Sequence, residues 1–227
     1  MKNLIKILLL CFIPFASTSD NLIYITQSGS GLTLNLDQVG NSNVFGTSQT
    51  RATFGGNSMT LDFDFTGDSN TLAASILQGA STSWTYNVTG DSNQGTFAVG
   101  GTGDVANTDF DYAATGDSNI LSFTQGAAAT ATAGNQDFAI TGSSNNINAT
   151  CEVVGCINNW SITGSSNDID TTQTGNADHS ITATITGSTN DIDVDQTSTG
   201  GSTSDILVIT ATTSNGTIDI DQCATGC

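Results

Sequence analysis

The chain has 227 residues, with 3 Lys or Arg against 21 Asp or Glu and a formal net charge of −18. So acidic a polypeptide is excluded from the classes that hold nucleic acid phosphates with Lys and Arg, and from adhesion to anionic membranes through a basic patch. One histidine, His179, and one glutamate, Glu152, leave little from which to build a Ser-His-Asp or Cys-His centre, so no enzyme is expected and His179 reads as a solvated surface residue.

Residues 1–19 read as a secretory signal. Lys2 and Lys6 supply the positive start, Ile7 to Phe15 the apolar stretch, and Ser17-Thr18-Ser19 the small residues before Asp20. Cys11 follows Leu8-Leu9-Leu10, where lipid attachment wants small residues. Removing this segment removes both lysines and Pro14, the only proline, and leaves Arg51 as the sole strong cation of a domain spanning 20–227. The expected product is extracellular and associated with the cell surface.

From Gly40 onward a Gly-x-Ser/Thr-Asn tetrad recurs, its copies beginning at Gly40, Gly67, Gly90, Gly116, Gly142, Gly164 and Gly187. An eighth, degenerate copy aligns as Thr213-Ser214-Asn215-Gly216, and the spacings of 27, 23, 26, 26, 22, 23 and 26 residues are those of a solenoid. Each tetrad lies between two alternating stretches, such as Leu61-x-Phe63-x-Phe65 before a turn and Asn119-x-Leu121-x-Phe123-x-Gln125 after one. The unit is therefore strand, tight turn, strand and a longer loop. The predicted fold is all-β: a β-solenoid of about eight stacked two-stranded coils, free of proline as a ladder requires. A disordered low-complexity chain would give no reason for alternation locked to a repeat.

Stacking predicts columns. The tetrad asparagines Asn43, Asn70, Asn93, Asn119, Asn145, Asn167 and Asn190 share the parity of the apolar residues, as do Gln49, Gln125, Gln173, Gln196 and Gln222. Buried singly, an amide costs free energy, whereas a column of amides bonds from rung to rung. A threonine rank just before the turns, Thr66 to Thr212, has outward parity.

Gly100-Gly101-Thr102-Gly103-Asp104 occurs once and reads as a loop rather than a calcium-binding repeat. Cys151 and Cys156, and Cys223 and Cys227, form two close pairs that an oxidising compartment would join within each pair. Metal binding is the rival reading, weakened by the lack of nearby histidines. In the last coils Asp170, Asp193 and Asp219 would fall in one outward column. Repulsion there calls for calcium, a hard cation suited to oxygen ligands, or for diffuse screening by salt. No other cofactor is expected.

Ile25-Thr26-Gln27-Ser28-Gly29-Ser30-Gly31, Gln38-Val39-Gly40-Asn41-Ser42-Asn43 and Gln49 resemble the curlin repeats of bacterial curli, whose pattern runs Gln-x-Gly-x-x-Asn-x5-Gln. The strict motif covers residues 25–49. Later copies keep Gly-x-x-Asn but place Phe65, Val88, Ala114, Ile140, Ile162 and Ile185 where the first glutamine is expected. The resemblance implies a two-stranded β-solenoid that polymerises into functional amyloid fibres of a biofilm matrix, with secretion and nucleation partners at the outer membrane. Two alternatives stay open: a monomeric surface adhesin or ligand-binding solenoid with capped ends, and an ice-binding protein. The ice reading needs a second threonine rank, but Asp64, Asn87, Ala113, Ala139 and Ser161 stand there before Thr184 and Thr210.

Overall fold

Alternation with period two gives every strand one apolar face, which must be covered by another layer. The computed structural model describes residues 21–47, 51–100, 105–126, 132–152, 154–175, 179–198 and 205–224. In it the chain covers that face by winding into a β-solenoid without helices among the described residues. In chain order the strands are β1 (Asn21–Ile23), β2 (Thr26–Ser28), β3 (Thr33–Val39), β4 (Ser42–Phe45), β5 (Ala52–Gly55), β6 (Thr60–Thr66), β7 (Ser69–Thr89), β8 (Ser92–Val99) and β9 (Val105–Thr115). The later ones are β10 (Ser118–Gln125), β11 (Thr132–Thr141), β12 (Ser144–Cys151), β13 (Val154–Thr163), β14 (Ser166–Gly175), β15 (Ser180–Thr186), β16 (Thr189–Ser198), β17 (Ile206–Thr212) and β18 (Asn215–Ala224).

All pairings are parallel and build two facing sheets. Sheet A stacks β1 with β2, β4 with β5, the first half of β7, then β8, β10, β12, β14, β16 and β18. Sheet B stacks β3, β6, the second half of β7, then β9, β11, β13, β15 and β17. Register follows the repeat: Asn119 pairs with Asn93 on one side and Asn145 on the other, and the degenerate copy puts Gly216 opposite Asn190.

The tetrad turn is held by backbone between coils, as where Gly67 N–H donates to Thr89 O at 2.9 Å. A Cβ on Gly90 would run into the Gly67 carbonyl oxygen, so successive coils approach too closely at this edge for any larger residue. At the opposite edge β7 departs from the strand-loop-strand expectation. It runs through the corner as one strand of 21 residues, bending at Gly79 (φ 147°) and Ser81 (φ 56°).

Between the sheets lies a core whose chemistry changes along the axis. The first coils are aromatic, with ring centroids 4.6 Å apart for Phe63 and Tyr86, 4.6 Å for Tyr86 and Phe97, and 4.5 Å for Phe110 and Phe123. Such pairs add roughly 0.5–1.5 kcal/mol each beyond the area they bury. The series stops at Phe138 and Trp160, which stack at 5.3 Å. No aromatic residue follows Trp160, and Ile169, Ile181, Ile185, Ile192 and Val194 fill the remaining interior. The C-terminal coils thus have a smaller apolar core.

Candidate functional site

The tetrad asparagines are buried and joined head to tail along the axis. Asn43 Nδ2 donates to Asn70 Oδ1 at 2.9 Å, Asn70 to Asn93 at 2.8 Å, Asn93 to Asn119 at 2.9 Å, and Asn119 to Asn145 at 2.8 Å. Asn145 donates to Asn167 and Asn167 to Asn190, both at 2.7 Å. The same amides bind the turn carbonyls, as Asn70 does at Thr89 O (3.1 Å) and Gly67 O (3.2 Å). One side chain therefore closes its own turn and fastens the next. Sequence reasoning missed Asn21, whose amide donates to Asn43 Oδ1 at 3.2 Å and begins the ladder; the signal was its position two residues before Ile23 in the same parity.

The glutamines form a second ladder of opposite polarity near the other edge. Gln222 Nε2 donates to Gln196 Oε1, and Gln196 Nε2 to Gln173 Oε1, each at 2.8 Å. Cys151 separates Gln173 from Gln125, and Gln125 instead accepts from Gln136 across the coil at 2.7 Å. Gln49 lies outside the described residues. Its expected place in the column is taken by Phe54, which pairs with Gln27 on one side and Ile76 on the other. The insertion between β4 and β5 shifts the count, so spacing from the turn no longer marks the column.

Cys151 and Cys156 are joined by a disulfide with Cα atoms 6.4 Å apart. Cys223 is also disulfide-bonded, and its expected partner Cys227 lies outside the described residues. His179 corrects the surface reading, for it is fully buried and its Nδ1 accepts the Cys156 backbone N–H at 3.3 Å. The His179 backbone N–H donates to Asp205 Oδ1 at 3.0 Å, and Ser198 Oγ reaches both Asp205 oxygens at 2.7 Å. Parity with Ile181, two residues on, was the overlooked sign that His179 points inward.

Acidic residues occupy the outer face. Asp170, Asp193 and Asp219 do succeed one another in sheet A, flanked by the column of Asp168 and Asp191 and by that of Asp195 and Asp221. Loss of hydration, then repulsion from Asp195, Asp219, Asp221 and Asp191, holds the Asp193 carboxyl above the usual range. Asparagines end the columns toward the middle of the molecule: Asn146 Nδ2 donates to Asp168 at 2.8 Å and Asn148 Nδ2 to Asp170 at 3.2 Å. Among the described residues no cluster of three or more His, Cys, Asp or Glu side chains is arranged to hold a metal ion. On sheet B, an open groove of about 480 Å³ has Ala113, Ala139 and Ser161 among its lining residues, with Asp111, Asp137 and Asn159 beside them. Burial, then repulsion from Asp137 and Asp109, raises the Asp111 carboxyl.

The last rung is bare. Ile218 and Ile220 stand in the columns of Ile192 and Val194, which are 1% exposed, yet are themselves 46% and 43% exposed because no described strand lies beyond β18.

No family model, curated protein or solved structure matches the chain.

The functional geometry rests on the molecule's own surfaces: two amide ladders, acidic columns and, among the described residues, a C-terminal rung with no strand beyond it and with exposed isoleucines.

Proposed function

We propose that the protein is a secreted structural subunit of extracellular curli-like fibres, growing by end-to-end stacking of solenoids at a cell surface. The observation that carries this reading is the open C-terminal rung, where Ile218 and Ile220 are uncovered at the end of a continuous parallel sheet. Such an edge presents unpaired N–H and C=O groups that template another strand. Amide columns and the curlin-like motif of residues 25–49 support the same reading.

The charge works against assembly at low ionic strength, since β18 carries Asp219 and Asp221 to the junction with another strongly acidic copy, and salt shortens the range of that repulsion. The test is electron microscopy and light scattering of the purified mature chain over days at neutral pH, across salt and with or without calcium. Fibres that form faster with salt are expected, and Asp219→Asn with Asp221→Asn should remove much of the salt requirement. A folded, β-rich monomer under every ionic condition would replace the fibre with the capped adhesin, for which the groove beside Ala113, Ala139 and Ser161 is the binding surface to examine.

A further inference from the structure

The two sheets do not end together. Among the described residues sheet A holds nine rungs and sheet B eight, because the described chain enters on a sheet A rung, β1 with β2, and leaves on another, β18. In the winding order β17 comes half a turn before β18, and β3 half a turn after β2. Were two intact copies stacked with β18 against β1 and β2, sheet B would lack one strand at the junction. Both sheets run on unbroken only if one sheet A rung is removed at each junction.

We infer that β1 and β2 are a displaceable cap on the N-terminal end, and that the strand which takes their place is β18 of a second copy of this chain. The inference rests on the fibre reading above. Following the register from rung to rung, Ile23 and Ile25 occupy the columns of Ile218 and Ile220, and Gln27 that of Gln222. The cap and the incoming strand thus carry the same inward pattern, Ile-x-Ile-x-Gln. They compete for one edge, that of β4 and β5.

The cap is held weakly. β1 and β2 pair through three residues each, against ten between β16 and β18. Outside those ladders it is held by two backbone bonds, Gly46 N–H to Ile23 O and Thr53 N–H to Ile25 O, both at 2.9 Å, and by side chains such as Gln38, whose Nε2 donates to Asn21 O at 2.7 Å. Exchange costs those contacts, and it covers Ile218 and Ile220. In the same step β17 meets β3, with Leu207 and Ile209 in the columns of Leu34 and Leu36. No carboxylate stands opposite another across the junction: Asp37 falls opposite Thr210 and Asp221 opposite Thr53.

The mature chain from Asp20, a chain beginning at Gly29, and a Leu22→Cys/Val44→Cys variant are compared for fibre growth at equal concentration and salt. Leu22 and Val44 are paired neighbours, so their disulfide would lock the cap. A several-fold shorter lag without residues 20–28, and growth of the locked variant only after reduction, are expected. The mature chain under the same reductant controls for the native disulfides. If the shortened chain is folded and grows no faster, the displaceable cap is wrong while the fibre stands. If the shortened chain does not fold, the locked variant decides, and undiminished growth with its disulfide closed overturns the cap. If the mature and shortened chains both remain folded monomers, the fibre reading fails and this inference with it.

Discussion

Asn93 Nδ2 donates to Asn119 Oδ1 at 2.9 Å across turns 26 residues apart in sequence. Each interior ladder asparagine is thus both donor and acceptor to its neighbours, and removing one leaves buried groups unpaired on two sides. Asn119→Ala is expected to cost about 2–4 kcal/mol, since each unsatisfied buried group costs about 1–3 kcal/mol. Asn190→Ala should cost less, because the next position in the column is Gly216 and the ladder ends there. Urea unfolding of both variants measures the difference, and equal losses would show that the ladder does not act as a chain.

Asp193 sits among like charges, and its raised carboxyl fixes the sign of a pH effect. A carboxyl whose folded pKa exceeds its unfolded value contributes stability below the unfolded pKa, about 3.9, and loses it as pH rises through the folded value. Asp193→Asn should therefore melt higher than the wild type at pH 7, with the gap closing as pH falls below about 4. Comparing the two proteins at each pH cancels the contribution of every other titrating group. A gap independent of pH would exclude charge repulsion as its cause.

Tyr112 is buried, and its hydroxyl has no hydrogen-bond partner among the described residues. Burial raises its pKa, so the ring stays neutral. Removing an unsatisfied hydroxyl relieves a desolvation penalty, and Tyr112→Phe should be neutral or stabilising by about 1 kcal/mol. Thermal unfolding tests this, and a clear loss of stability would mean that the hydroxyl is paired in solution.

The Cys151–Cys156 bridge closes a short loop beside His179. Replacing both cysteines with serine should cost about 2 kcal/mol, the loop-entropy value for a ring of this size. The C-terminal coils, which lack aromatic packing, should be the first to lose hydrogen-exchange protection. Loss of protection first in the aromatic coils around Tyr86 would contradict the gradient in the core.

Much of this architecture was legible in the sequence because its signals are local. Alternation such as Leu61-x-Phe63-x-Phe65 assigns an inward face without knowledge of the partner, and the recurring Gly-x-Ser/Thr-Asn marks one edge of every coil. Parity alone also placed the asparagine column and the outward acids. What only the tertiary structure decided is which residues share a column where loops differ in length. Phe54 stands where Gln49 was expected, because the segment between β4 and β5 adds residues without adding a rung. His179 stacks beside Cys156 because the coils align at that corner, although no motif links the two. Among the described residues, the extra rung of sheet A likewise became countable only once the strands were paired. Parity is a property of one strand, whereas register and rung number are properties of the wound chain.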